Sequence, residues 1–167
     1  MLKIHEIKGD IFSSPAKMLV NPVNTKGASG AGLHAYFAKK FPIEEKYYKE
    51  LCKMGDFHIG DIHLSNEENG YCICYFSTKD DWRYPSKMEY IKKGLEMLVG
   101  LFTGEDPMIK SVAIPALGSG LGGLNWKDVK EEIINTFQNA NIQSNVDVYL
   151  YEPLEFNEES KIVNSWN

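Results

Sequence analysis

The sequence predicts an α/β fold, a sheet with helices packed on both of its faces. Three observations predict it. Short apolar strands alternate along the chain with amphipathic helices. Two glycine-rich loops each directly follow a strand. The chain has 167 residues, 43% of them apolar or aromatic. One domain with an ordinary core is expected at that length, without disulfide staples.

The elements follow in order. Leu2–Ile7 reads as a strand, followed by the turn Lys8-Gly9-Asp10-Ile11. Met18-Leu19-Val20 reads as a short buried strand, and a glycine-rich loop runs from Asn21 to Gly32. Leu33–Lys40 can be helical, and Pro42 can open a second helix to Met54, closed by Gly55. His58–Leu64 and Tyr71–Phe76 read as strands around a polar turn at Asn66–Gly70. Ser86 with Glu89 has capping-box spacing, and Met88, Ile91, Leu95, Leu98 and Phe102 then form one helical stripe. Val112-Ala113-Ile114 is a strand ended by Pro115, and a second glycine-rich loop spans Gly118–Gly123. Asn125 can cap a helix lined by Trp126, Val129, Ile133 and Phe137. Val146, Val148 and Leu150 alternate with Asp147 and Tyr149 in a last strand. The domain is expected over residues 1–152, with a polar tail over 153–167.

Composition narrows the function classes. A net charge of −5 argues against coating nucleic acid by charge alone, and leaves a local basic patch open. The longest apolar run, Tyr71–Phe76, is far short of the roughly 20 residues that span a bilayer. The N-terminus shows no long apolar stretch, so no secretory signal and no membrane attachment are expected. Cys52, Cys72 and Cys74 have no zinc-like spacing, and no histidine completes a ligand set, so no metal and no cofactor are expected. Cys72 and Cys74 share one strand face and read as buried free thiols, which suits a reducing, cytoplasmic setting.

The two loops carry the chemistry. Loop one is Asn21-Pro22-Val23-Asn24-Thr25-Lys26-Gly27-Ala28-Ser29-Gly30-Ala31-Gly32. Loop two is Pro115-Ala116-Leu117-Gly118-Ser119-Gly120-Leu121-Gly122-Gly123-Leu124-Asn125-Trp126. Glycines let successive backbone N–H groups turn inward into an anion nest, and a following helix start adds partial positive charge. Ligands of such folds settle at the carboxyl ends of strands, so both loops are expected to converge on one cleft that suits a diphosphate. The plain alternative is that the glycines only permit tight turns. Gly118-x-Gly120-x-x-Gly123 has dinucleotide-fingerprint spacing, but its helix starts too late and too little chain follows to complete such a domain. No Walker sequence is present.

These residues resemble a macrodomain, the fold that binds ADP-ribose. The match runs from Lys8-Gly9-Asp10-Ile11-Phe12 through both loops to the last strand near Tyr151. Within the family the chain is most similar to the branch of the DarG-type antitoxins and the terminal ADP-ribose protein glycohydrolase. Ser29-Gly30-Ala31-Gly32-Leu33, Phe41-Pro42, Thr78-Lys79-Asp80-Asp81-Trp82-Arg83 and Gly118 to Trp126 carry that likeness. The resemblance implies a three-layer α/β/α macrodomain with a central mixed sheet. It implies that Asp10 accepts from the adenine amino group, with the Ile11 backbone completing that edge. Asn24 would hold the distal ribose. Gly30, Ala31, Gly32 and Leu33 would wrap that ribose, and Gly118, Ser119, Gly120, Leu121 and Gly122 the diphosphate. An Asx or capping turn is the alternative role for both Asp10 and Asn24.

Lys79 is the implied catalytic residue, attacking or electrostatically assisting attack at the anomeric carbon of the distal ribose. That carbon becomes oxocarbenium-like as a glycosidic bond breaks, and a neutral amine can trap it. Asp80 and Asp81 would oppose this by stabilising the ammonium, unless they point elsewhere. A surface lysine is the alternative. Trp82 and Arg83 offer a stacking face and a guanidinium to a base or phosphate of single-stranded DNA, although Trp82 could equally plug the sheet edge. His34 is read first as a helix-face histidine making one ordinary hydrogen bond, with a role as acid or base as the alternative.

Two departures matter. The protein-directed glycohydrolase carries an aspartate where this chain has Gly122, and the antitoxin branch has glycine, which favours DNA-linked substrates. Other branches carry an acidic residue after the glycines of loop one, absent from Ala31-Gly32-Leu33-His34. The expected activity is therefore an ADP-ribosyl hydrolase that removes ADP-ribose from modified nucleobases. The alternatives are a hydrolase of small derivatives such as the 1″-phosphate or acyl esters, and a non-catalytic reader. The expected form is a monomer.

Overall fold

The computed structural model describes residues 1–153, so all but the first residue of the expected tail lies outside the described residues. Six strands and four α-helices follow one another as β1 (Leu2–Ile7), β2 (Met18–Asn24), α1 (Gly32–Lys40), α2 (Pro42–Lys53), β3 (Ile62–Glu68), β4 (Tyr71–Lys79), α3 (Met88–Gly100), β5 (Ser111–Ile114), α4 (Trp126–Gln138) and β6 (Val146–Tyr151). A single turn of 3-10 helix at Ile11–Ser13 follows β1. The sheet order is β1-β6-β5-β2-β4-β3. All pairings are parallel except β3 with β4, so the sheet is mixed.

Alternation along the strands divides the core into two. Met18, Val20, Cys74, Phe76, Val112, Ile114, Val148 and Leu150 face α3 and α4, where Ile91, Leu95, Leu98, Val129, Ile133 and Phe137 meet them. Leu19, Val23, Ile73, Tyr75 and Ala113 face α1 and α2, against Phe37, Phe41 and Tyr48. That is the three-layer α/β/α arrangement, and Cys72 and Cys74 lie on one face as free thiols. No helix among the described residues is long and apolar enough to cross a membrane.

Several boundaries differ from expectation, β3 running on to Glu68 and β4 to Lys79 among them, and three have a plain local reason. β2 runs on to Asn24 through Pro22. β5 pairs with β2 only at Met18 and Leu19, so beyond them β2 is bonded on one side, where a strand tolerates a missing N–H. β3 starts at Ile62 rather than His58, because Asp61 Oδ2 accepts from the His58 N–H at 2.9 Å and Gly60 adopts φ +89°, which together form a turn. Ser86 does not cap α3: the N-cap is Lys87, without a side-chain cap bond. The Ser86 N–H donates instead to the Gly122 carbonyl at 2.9 Å, and the chain enters the helix one residue later. Asn125 caps α4 as expected, accepting from the Asp128 N–H at 3.3 Å.

Gly94 is the closest approach of α3 to the sheet. A Cβ there would lie under 3.0 Å from the Phe76 ring of β4. Helix propensity alone favours alanine by about 1 kcal/mol, whereas overpacking a core costs about 1–3 kcal/mol. Overpacking wins here because three ring atoms would have to move. Gly94→Ala is expected to lower the urea midpoint with an unchanged slope, a net loss of about 1–2 kcal/mol.

Candidate active site

The topology decides what meets. β2 lies between β5 and β4, and all three are parallel. Their carboxyl ends therefore open on one edge: β5 into loop two, β2 into loop one, and β4 at Lys79. These three segments line a cleft of about 390 Å3. Among the residues named from the sequence, Asn24, Gly30, Ala31, Gly32, Leu33, Gly118, Leu121, Gly122, Lys79 and Trp82 line it. Asp10, Ile11, Ser119, Gly120 and Arg83 do not. Pro22, Val23, Ala28, His34, Thr78 and Ala116 complete the lining, unnamed as ligand contacts beforehand.

The cleft presents unpaired backbone donors. Gly32, Leu33 and His34 form the buried first turn of α1, whose N-cap Ala31 supplies no side-chain acceptor. A helix start leaves such N–H groups without intrahelical partners. Among the described residues, the N–H groups of Gly118, Gly120, Leu121 and Gly122 donate to no backbone carbonyl. Loop two is held in shape by its other bonds, Ser119 N–H to Ala116 O at 3.1 Å and Leu124 N–H to Gly118 O at 2.9 Å. Gly118 sits at φ +67° and Gly32 at φ +66°, the left-handed region that favours glycine. Backbone N–H groups without backbone acceptors thus stand on both loops that line the cleft, a donor set that suits an anion.

Asn24 is used mainly by its own loop. Its Oδ1 accepts from the Lys26 N–H at 3.0 Å and the Ala28 N–H at 3.2 Å, while Nδ2 donates to the Ala28 carbonyl at 2.9 Å. One Nδ2 hydrogen remains for a ligand. The Tyr48 hydroxyl donates to the Asn24 carbonyl at 2.5 Å from below. Tyr48 also packs edge-on against His34, whose Nε2 lies 2.9 and 3.0 Å from the two oxygens of buried Glu45. His34 is thus a helix-face histidine held by Glu45, as expected, and a buried support of loop one. Asp10 likewise serves its own turn, with Oδ1 accepting from the Phe12 N–H at 2.9 Å.

The Lys79 segment is clamped from both sides. Thr25 Oγ1 of loop one lies 2.7 Å from the Asp80 carbonyl and 2.6 Å from its carboxylate, with one hydroxyl hydrogen to donate to either. Ser86 ties the other end to loop two through Gly122. Arg83 engages Asp81 with Nε at 3.0 Å and Nη2 at 2.7 Å, which holds the Asp81 carboxyl down at about 2. Both acidic neighbours of Lys79 are therefore committed elsewhere. The Lys79 Nζ donates to the Trp82 carbonyl at 3.4 Å. Burial lowers its pKa from the ordinary 10.5, with no carboxylate raising it.

No group of three His, Cys, Asp or Glu side chains among the described residues could hold a metal ion. Fold and cleft together define an α/β/α domain built to take an elongated anionic ligand at the carboxyl edge of its sheet. Residues 20–133 match the Macro domain family, and the chain belongs to it. A DNA ADP-ribosyl glycohydrolase of Thermus aquaticus is 36% identical over 152 residues, which cover 89% of this chain and 41% of that protein. The macrodomain of Thermus aquaticus DarG superposes with a TM-score of 0.82 at 34% identity, covering 92% of this chain and 100% of that one. Thermosipho africanus DarTG in complex with ADP-ribose does so at 0.79 and 28% identity, covering 98% and 45%. The chain spans about two fifths of the length of the DNA ADP-ribosyl glycohydrolases it matches.

Gly122 has a structural reason in this chain. A Cβ there would come within 3.0 Å of both Ser86 Oγ and the Gly118 carbonyl. The serine can rotate, but the carbonyl is part of the loop. Gly122→Ala is expected to weaken ADP-ribose binding by calorimetry roughly ten- to a hundredfold, the equivalent of an overpacking cost of about 1–3 kcal/mol. Unchanged affinity would show that loop two re-forms around the methyl group.

Proposed function

We propose that this macrodomain binds ADP-ribose and hydrolyses its linkage to modified nucleobases in single-stranded DNA, with Lys79 as the catalytic residue. One observation carries the reading. Lys79 lines the cleft together with residues of both glycine loops, and its amine is lowered in basicity by burial and paired with neither Asp80 nor Asp81. Relatives named DNA ADP-ribosyl glycohydrolases and a neighbour solved with ADP-ribose support the substrate class.

On this reading the loop N–H groups take the diphosphate, and the remaining Nδ2 hydrogen of Asn24 meets the distal ribose. Asp10 and the Ile11 backbone take the adenine edge. They follow β1, on the same carboxyl edge but beyond β5 and β6. From β1 to β4 is four strand intervals, roughly 19 Å at about 4.8 Å each, so only an elongated ligand reaches both ends. The neutral amine donates its lone pair to the anomeric carbon as the bond to the base breaks, and the base leaves with the bonding electrons and takes the proton that the newly bonded nitrogen gives up. Opening of the sugar ring gives a Schiff base. Water then adds to it, and free ADP-ribose and the amine are regenerated. Gly122 leaves loop two without an acidic group, in keeping with a nucleobase rather than a protein carboxylate as the leaving side.

Lys79→Ala is expected to retain ADP-ribose affinity and to lose about a hundredfold or more in release of ADP-ribose from a modified oligonucleotide. The pH dependence separates the two possible roles of the lysine. A nucleophilic amine must be neutral, and burial lowers its pKa, so kcat should rise with pH on a limb centred below 10.5. A kcat that falls across that limb would assign an ammonium acting through its charge. Phosphate release from the 1″-phosphate with the oligonucleotide untouched would assign the small-derivative hydrolase instead, and tight binding without turnover a reader.

A further inference from the structure

Beside the cleft mouth stands a surface that shares only Trp82 with the cleft lining. Trp82 is 56% exposed and Tyr84 63% exposed, although both rings are large. Between them lies Arg83, its guanidinium carbon 6.0 Å from the Trp82 centroid and 5.9 Å from the Tyr84 centroid. This group is fastened rather than loose. Asp81, whose side chain is only 16% exposed, grips the Arg83 side chain and accepts from its N–H at 2.9 Å. The Tyr84 N–H donates to the Asp81 carbonyl at 3.1 Å. Two planar rings and one planar cation are thus held on a short rigid loop, at little further entropic cost when a flat ligand arrives.

We propose that Trp82, Arg83 and Tyr84 form a stacking platform for the unpaired nucleobases that flank the modified nucleotide in a single strand. The inference rests on the glycohydrolase reading for the direction of the strand. Trp82 belongs to both sites: it lines the cleft, and its carbonyl accepts from the Lys79 amine. Trp82 joins the cleft to the platform, so a strand that runs out on the Trp82 side would bring its next base to Arg83 and Tyr84. The chemistry fits bases better than phosphates. Arg83 is neutralised by Asp81, and Lys26 has Asp80 at 3.9 Å, so the platform offers π-faces and little net charge. A duplex keeps its bases stacked inside and offers no face to such a platform. Stacking on aromatic side chains tolerates any base and is worth a substantial factor in affinity per base. It also explains how an acidic chain could hold DNA without a basic groove.

The test uses binding as well as turnover. A labelled unmodified single-stranded oligonucleotide is titrated with the protein saturated in ADP-ribose, by fluorescence anisotropy. Wild type and Tyr84→Phe are expected to bind alike, and Tyr84→Ala about tenfold more weakly. The salt dependence should be shallow, the sign of few phosphate contacts. Tyr84 lies outside the cleft lining, so Tyr84→Ala should leave ADP-ribose affinity unchanged. It should raise KM for a modified oligonucleotide, not for ADP-ribose linked to a single nucleotide. Equal affinities of wild type and Tyr84→Ala, equal binding of duplex and single strand, or no oligonucleotide binding at all would each overturn the platform and leave the glycohydrolase reading standing. An unstructured peptide of matched charge that binds as well as the oligonucleotide would assign the face to protein partners and overturn it too. Stacking that persists without any turnover would remove the glycohydrolase reading alone.

Discussion

The site depends on backbone N–H groups that the chain itself leaves without acceptors. Burying a polar group without a partner costs free energy, so native chains pair nearly all of them. Here the first turn of α1 is buried without a side-chain cap, and loop two turns several donors away from its own carbonyls. A ligand rich in oxygen acceptors would supply the missing partners. Side-chain cations are not needed for this, which is how a chain of net charge −5 can hold a diphosphate. The donors converge because three adjacent parallel strands end on one edge.

Lys79 gains its character from the same arrangement. A lysine beside two aspartates in sequence would ordinarily stay a solvated ammonium. Thr25 and Arg83 take up the two carboxylates, and burial then acts on the amine unopposed. The segment is also fastened to both loops, by Thr25 at Asp80 and by Ser86 at Gly122. Ligand held by either loop therefore bears on the position of the amine through one or two hydrogen bonds. The Ser86 hydroxyl, buried behind Gly122 and without a hydrogen-bond partner among the described residues, takes up the space a side chain there would need.

Legibility was greatest where periodicity and punctuation agree. The stripe Met88, Ile91, Leu95, Leu98 and Phe102, the cap at Asn125 and the alternation of β6 are each local patterns, and each stands where expected. Pro22 hid the end of β2, because the cost of a proline depends on whether a neighbouring strand needs its N–H. Ser86 misled for a related reason: its capping spacing with Glu89 is genuine, but a carbonyl from a loop some thirty-six residues away claims its N–H. His34 and Glu45 gave no sign of meeting. Eleven residues apart on two helices, they face each other only through the angle at Phe41-Pro42.

The sequence by itself determined the alternation of elements, the layer arrangement, the two glycine loops and the lysine after β4. These are properties of short windows, governed by steric preference and by which side chains avoid water. Only the tertiary structure decided that loop one, Lys79 and loop two meet, since that follows from β2 lying between β5 and β4. It likewise decided that Asp80 and Asp81 turn from the amine, that Gly122 has no room for a side chain, and that Trp82 and Tyr84 stand in solvent. Contacts between distant segments depend on strand order and loop path, and no local pattern of residues encodes either.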